Sequence, residues 1–235
     1  AVRIFEGMKA YYAPDGRLLL FRPEANAHRL NSSAARLLIP ELPVEMFLEG
    51  LLALVNLDRD WVPKRQDQSL YIRPFLFATE PQLGVSRSRS YTFCIILSPG
   101  GPYYQKKLDP VKIYVETDYA RSVQGGTGHI KCGGNYAGSL AAQYKAKQFG
   151  YSQVLWLDGA ERKYIDEVGT MNVMFVIGDE VLTPELSGTI LPGITRDSVL
   201  HLLRDWGVRT TERRISLDEL LTAAKNGRLR EAFGV

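Results

Sequence analysis

The sequence predicts an α+β fold in two parts, and three observations carry that prediction. Strand and helix signals follow one another in hairpin order up to residue 98. Ser98-Pro-Gly-Gly-Pro102 then breaks the pattern, with four conformational punctuators in five residues. Beyond it, short apolar runs and amphipathic segments continue to the end of the chain.

Taken in order, residues 4–12 and 18–21 read as strands around Ala13-Pro-Asp-Gly16, a hairpin signal. Arg22-Pro-Glu-Ala-Asn26 opens a helix running to about Leu38, with Pro23 suited to its first turn. Val44, Phe47, Leu48, Leu51, Leu52 and Val55 give helical spacing over Val44–Leu57. Residues 69–79 and 91–97 are rich in aromatic and β-branched side chains and read as buried strands. After the break come a strand at 111–115, a glycine-rich segment at 125–138 and a helix at 136–149. Residues 153–157, 172–177 and 208–215 read as strands, and 195–206 and 217–226 as helices. Ser216 and Glu219 form a capping box for the last helix. Ser86-Arg-Ser-Arg-Ser90 reads as a solvated loop.

Composition narrows the function classes. Of 235 residues, 45% are hydrophobic, enough for one sizeable core or two small ones. The 29 basic and 26 acidic residues leave a net charge of +3, against the concentrated basic charge of nucleic-acid or membrane-surface proteins. No apolar run approaches the ~20 residues of a membrane span. Cys94 and Cys132 give no disulfide framework, so a cytoplasmic location is expected. The chain lacks an initiator Met and closes in Arg230-Glu-Ala-Phe-Gly-Val235, an apolar ending. It reads as an interior piece of something longer, so an organelle-targeting segment stays open.

Three stretches could carry chemistry. Residues 125–138 hold six glycines around one lysine, Lys131. Lys131 follows Ile130 and precedes Cys132, which is not a Walker loop, and Gly126-x-Gly128 lacks the third glycine of a dinucleotide fingerprint. A desolvated nucleophilic lysine and an ordinary lysine on a glycine-rich loop both remain open. Glu167, in Ile165-Asp-Glu-Val168, sits between apolar residues and needs a cationic or hydrogen-bonding partner, unless it caps a strand and reaches water. The ring nitrogen of pyridoxal phosphate is one such partner. Gly193 and Thr195 precede an amphipathic helix, where amides and dipole suit an anion or serve simple capping. His28, His129 and His201 lack ligand spacing, so no metal is expected. Cys132 reads as a small buried residue rather than a nucleophile.

Six motifs occur in order: Phe5-Glu-Gly-Met-Lys-Ala10, Ser69-Leu-Tyr-Ile-Arg-Pro74, Glu80-Pro-Gln-Leu-Gly-Val-Ser86, Lys131-x-Gly-Gly-Asn-Tyr136, Glu167-Val-Gly-Thr-Met-Asn172 and Leu191-Pro-Gly-Ile-Thr-Arg196. Together, over nearly the whole chain, they resemble the branched-chain amino-acid aminotransferases, fold-type IV enzymes dependent on pyridoxal 5′-phosphate. The resemblance implies a small α/β domain over residues 1–98, a linker at 99–107 and a larger pseudo-barrel domain at 108–235. It implies that Lys131 is the catalytic Schiff-base lysine, that Tyr136 donates to the cofactor's phenolic oxygen, and that Glu167 pairs with its ring nitrogen. Arg29, Arg121 and the amides of Ile194 and Thr195 would hold the phosphate, with Leu191 against the ring and Thr170 also at the cofactor. Phe5, Tyr71 and Arg73 would line the substrate pocket, Arg73 facing the distal carboxylate of glutamate. Leu83 and Val85 would reach a neighbouring subunit's pocket, making a homodimer the smallest working unit.

The resemblance also implies substrates: leucine, isoleucine, valine, glutamate and their 2-oxo acids, with no nucleic-acid or membrane partner. A Gly-Thr-Ala turn for phosphate and substrate carboxylate is expected after Val235, and an active-site tyrosine before Ala1. Two rivals stand beside this reading. A D-amino-acid transaminase or aminodeoxychorismate lyase shares the lysine and glutamate but not the Tyr71-x-Arg73 pair with the 80–86 loop. An inactive binding or dimerisation fragment is the other.

Overall fold

The computed structural model describes residues 2–65, 67–101 and 109–235. The chain divides into two compact units, Ala1–Asp109 with Ile130–Gly133, and Pro110–His129 with Gly134–Val235. Residues 102–107 of the expected linker lie outside the described residues. Its opening residues, Pro99 and Gly100, extend a strand opposite Leu70 and Ser69. The proline is tolerated because, among the described residues, that strand is paired on one side only.

The first unit is one antiparallel sheet with two helices. Its strands are β1 (Arg3–Phe5), β2 (Met8–Tyr12), β3 (Leu18–Leu20), β4 (Ser69–Ala78) and β5 (Tyr91–Gly100). β4 is the centre, with β5 along one edge and β1 and β2 sharing the other. The single strand expected over residues 4–12 is therefore two. The gap falls opposite Pro74, which accepts from the Glu6 N–H at 2.7 Å but has no N–H to return. Gly7 completes the gap, because a Cβ there would strike the Tyr71 ring, 3.2 Å from Cζ.

Helices α1 (Pro23–Arg36) and α2 (Val44–Leu57) lie where the apolar spacing places them. Leu30 and Ala34 of α1, with Phe47, Leu51 and Val55 of α2, close a core over Ile4, Leu70 and Ile72. Phe47, Leu51, Leu70 and Ile72 are among the most deeply buried side chains, and each contributes roughly 1.5–3 kcal/mol by leaving water.

The second unit has two sheets. β6 (Ile113–Glu116), β7 (Gln153–Leu157) and β8 (Ile165–Val168) form one, and β9 (Val173–Ile177), β10 (Glu180–Thr183), β11 (Thr210–Glu212) and β12 (Leu229–Gly234) the other, in order β11-β10-β9-β12. Among the described residues they do not close into a barrel. The helix expected over 136–149 is α3 (Gly133–Ala137) and α4 (Leu140–Gln148). The interruption falls at Gly138 and Ser139, where the Ser139 hydroxyl donates back to the Tyr136 carbonyl at 2.8 Å. α5 (Ile194–Asp205) and α6 (Leu217–Lys225) follow. Ser216 caps α6 by accepting the Glu219 N–H at 3.1 Å. Among the described residues no helix is long and apolar enough to cross a membrane.

Candidate active site

In the first unit the structure gathers four of the expected residues: Lys131 and Arg73 at the ring of Phe5, and Tyr71 beside Arg73. The chain returns to this unit at Ile130–Gly133 and lies beside β1. The Phe5 N–H donates to the Lys131 carbonyl at 3.0 Å, and Lys131 N–H donates to Ser33 Oγ at 3.0 Å. Both backbone groups of the lysine are thus held, one by a strand and one by a helix. Its Nζ stands 5.0 Å from the centroid of the Phe5 ring. The Arg73 guanidinium lies 4.6 Å from the same centroid and donates to the Tyr71 hydroxyl at 2.6 Å from Nη2. An aromatic face attracts cations without engaging their hydrogen-bond donors. Phe5 therefore places two positive groups while leaving their chemistry to other partners.

Arg29, on α1, forms an ion pair with fully buried Glu6 at 2.7 Å. Sequence reasoning did not single out Glu6. A signal existed, since Asn26 and Arg29 fall on one face of α1 and a carboxylate lies inside the Phe5-Glu-Gly motif. Leu83 and Val85 lie on a loop with fully exposed side chains, at 107% and 108% relative accessibility.

In the second unit Glu167 lies on β8, and it is buried. Its Oε1 accepts the Leu191 N–H at 2.9 Å, and Oε2 lies 3.3 Å from Arg121 Nε. That Nε is buried and makes no aligned hydrogen bond. Arg121 also donates to the Thr189 carbonyl, and Ser122 Oγ donates to the same carbonyl at 2.7 Å. Asn172 Nδ2 donates to the Leu191 carbonyl at 2.9 Å, so Leu191 is held at both its backbone groups. Arg121, Glu167 and Leu191 therefore form one buried group.

Tyr136 lies in α3 and is half-buried. Thr170 is exposed in the turn that follows β8. Ile194 and Thr195 open α5, whose N-cap Gly193 offers no side-chain cap.

Asp166 is the residue next to Glu167 that sequence reasoning passed over. Strand alternation turns it to the opposite side of β8, where it lines a cavity of about 300 Å³ with Tyr164, Thr189 and Arg214. Its Oδ1 accepts from Thr189 Oγ1 at 3.3 Å, and its buried Oδ2 has no partner among the described residues. Burial pushes this carboxyl up to about 6, with the Arg121 charge and the Thr189 hydrogen bond pulling the other way.

A hairpin-ordered antiparallel layer followed by this mixed unit is the fold of the fold-type IV aminotransferases. The chain belongs to the class IV amino-transferase family, whose model matches residues 3–225. It is 57% identical, over 98% of its length, to branched-chain-amino-acid transaminase 1 of Bacillus subtilis (strain 168), and spans 65% of that protein. It is 51% identical, over 98% of its length, to the branched-chain-amino-acid aminotransferase of Mycolicibacterium smegmatis, and spans 64% of it. Among solved structures it superposes on the branched-chain aminotransferase of Thermoproteus uzoniensis with norvaline at a TM-score of 0.83 and 25% identity, covering 100% of this chain and 74% of that one. The T.th. branched-chain amino acid aminotransferase complexed with N-(5′-phosphopyridoxyl)-L-glutamate gives 0.80 and 27% identity, over 99% and 72%.

Proposed function

We propose that this chain belongs to an enzyme that transaminates branched-chain L-amino acids, leucine, isoleucine and valine, with 2-oxoglutarate as partner acid. The reaction would run on pyridoxal 5′-phosphate in two half-reactions, the first releasing a 2-oxo acid before the second substrate binds. The observation that carries the reading is Lys131. Its backbone is fixed on both sides, and its amine stands beside the Phe5 ring that also carries the Arg73 guanidinium, a nearby cation of the kind that favours a nucleophilic lysine. Relatives at 51% and 57% identity bear branched-chain names, which supports the substrate class.

The residues present suit the cofactor. The buried Arg121 Nε, 3.3 Å from Glu167 yet without an aligned acceptor among the described residues, is a donor that a group bringing its own polar atoms would satisfy. Glu167 offers a buried carboxylate to a protonated ring nitrogen. Bound, the cofactor would supply an aldehyde carbon and an electron sink for the pair released at the substrate's Cα. Lys131 Nζ takes the proton from that Cα and returns it to a neighbouring carbon. Glu167 would keep a proton on the ring nitrogen, and Tyr136 would donate to the phenolic oxygen. Leu191 would pack against the ring and Thr170 would border it. Arg29, Arg121 and the amides of Ile194 and Thr195 would hold the phosphate dianion, the two amides being of the helix-start kind that favours an anion.

Arg73 fits the distal carboxylate of 2-oxoglutarate, because a guanidinium recognises that group in its own plane, while Phe5 and Tyr71 offer apolar surface to a branched side chain. The fully exposed Leu83 and Val85 suit a neighbouring subunit in a homodimer. Free Cys94 and Cys132 suit a reducing compartment such as the cytoplasm.

The test is amino transfer itself. Protein given pyridoxal 5′-phosphate, L-leucine and 2-oxoglutarate should form glutamate and 4-methyl-2-oxopentanoate in equal amounts. Transfer from D-alanine but not from L-leucine would replace this reading with the D-amino-acid rival. No transfer from any amino acid, despite bound cofactor, would end it.

A further inference from the structure

We propose that Glu6 is a positioning residue for Arg29, setting the plane in which its guanidinium meets the cofactor's phosphate; this rests on the role of Arg29 proposed above. Glu6 is fully buried in the gap between β1 and β2. Its backbone is tied to Pro74 at 2.7 Å, so the carboxylate has a fixed origin. Arg29 meets that carboxylate edge to edge, Nε to Oε1 at 2.9 Å and Nη2 to Oε2 at 2.7 Å. Asn26, three residues earlier on α1, donates Nδ2 to Oε2 at 2.8 Å and fixes the carboxylate's own rotation. A two-point contact of this kind locks the guanidinium plane, which a single hydrogen bond leaves free to turn.

Electrostatics and orientation make opposite predictions here, which is what makes the proposal testable. A negative charge beside Arg29 lowers the attraction of that arginine for a phosphate dianion. If charge alone mattered, removing it would tighten cofactor binding. If the pair served only to hold β1 to α1, its loss would affect every ligand through stability alone. Orientation predicts something narrower: weaker binding of ligands that carry the phosphate, and unchanged binding of those that lack it. A flexible arginine loses rotamer freedom when it binds, so fixing it beforehand favours each phosphate contact.

The experiment titrates apo protein with pyridoxal 5′-phosphate and with pyridoxal, which has the same ring and aldehyde but no phosphate. It uses wild type, Glu6→Gln, Asn26→Ala and Arg29→Ala, following absorbance. Glu6→Gln should raise the Kd for pyridoxal 5′-phosphate about tenfold or more, the size of one lost charge-assisted bond, and leave that for pyridoxal within about twofold. Asn26→Ala, which removes only the support of the carboxylate, should give a smaller loss of the same selectivity. It decides the matter if Glu6→Gln does not fold. Arg29→Ala should weaken the phosphate ligand alone, and if it does not, the reading of Arg29 fails. If Arg29→Ala behaves so while Glu6→Gln tightens or leaves unchanged the phosphate ligand, or weakens both ligands equally, the positioning role of Glu6 is wrong.

Discussion

Replacing Asp166 with Asn should make the protein more stable at neutral pH and have no such effect in acid. Asp166 is buried beside Glu167, one carboxylate oxygen has no partner among the described residues, and its pKa rises from 3.8 to about 6. Burial is the largest cause, and it disfavours the charged form. The folded state therefore binds its proton more tightly than the unfolded chain does. The stability that proton provides is fully present below about pH 4 and is lost as pH rises through about 6. At about 1.4 kcal/mol per tenfold, the cost at pH 7.5 is about 3 kcal/mol as an upper figure. Asn carries no charge and keeps an oxygen for the Thr189 hydroxyl, so it avoids that cost. Urea unfolding of apo wild type and Asp166→Asn, at pH 4 and pH 7.5, measures the difference. A gain of about 1–3 kcal/mol at pH 7.5 that shrinks toward zero at pH 4 is expected. A gain of equal size at both pH values, or a loss at pH 7.5, would show that burial of this charge is not what costs stability.

Two further substitutions bear on the strand that carries Glu167. Glu167→Gln should destabilise the apo protein by about 3 kcal/mol in urea, because buried Arg121 loses its counter-charge, and turnover should fall about 10–150-fold; unchanged turnover would remove Glu167 from the site. Gly169→Ala should cost about 1–2 kcal/mol of unfolding free energy, since Gly169 has φ +58° and a Cβ would press on Gln153, 2.6 Å from its Cδ. Equal midpoints for Gly169→Ala and wild type would show that this turn relaxes freely.

Much of the architecture was legible because local signals agreed with tertiary demand. The helix Val44–Leu57 carried its apolar face in its spacing, and that same face holds Phe47, Leu51 and Val55 in the core. The Ser216 cap was legible because capping is a contact across three residues. β8 was not, since Ile-Asp-Glu-Val reads as polar chain while the structure buries all four residues. Its two carboxylates are met by Arg121, Thr189 and the Leu191 amide, partners distant in sequence. β10 was missed for a related reason, a four-residue strand lying directly after a tight turn. At the site, Lys131 and Glu167 drew attention by their neighbours in sequence. Glu6 did not, because its meaning comes from Arg29, 23 residues away on another element.

The most direct measurement is to find which lysine carries the cofactor. Protein loaded with pyridoxal 5′-phosphate is reduced with borohydride, digested, and its peptides sequenced by mass spectrometry. The pyridoxyl group is expected on Lys131, with the Lys131→Ala variant unlabelled and inactive toward L-leucine and 2-oxoglutarate. A label on Lys145 or Lys147, or full turnover by Lys131→Ala, would take the chemistry away from Lys131.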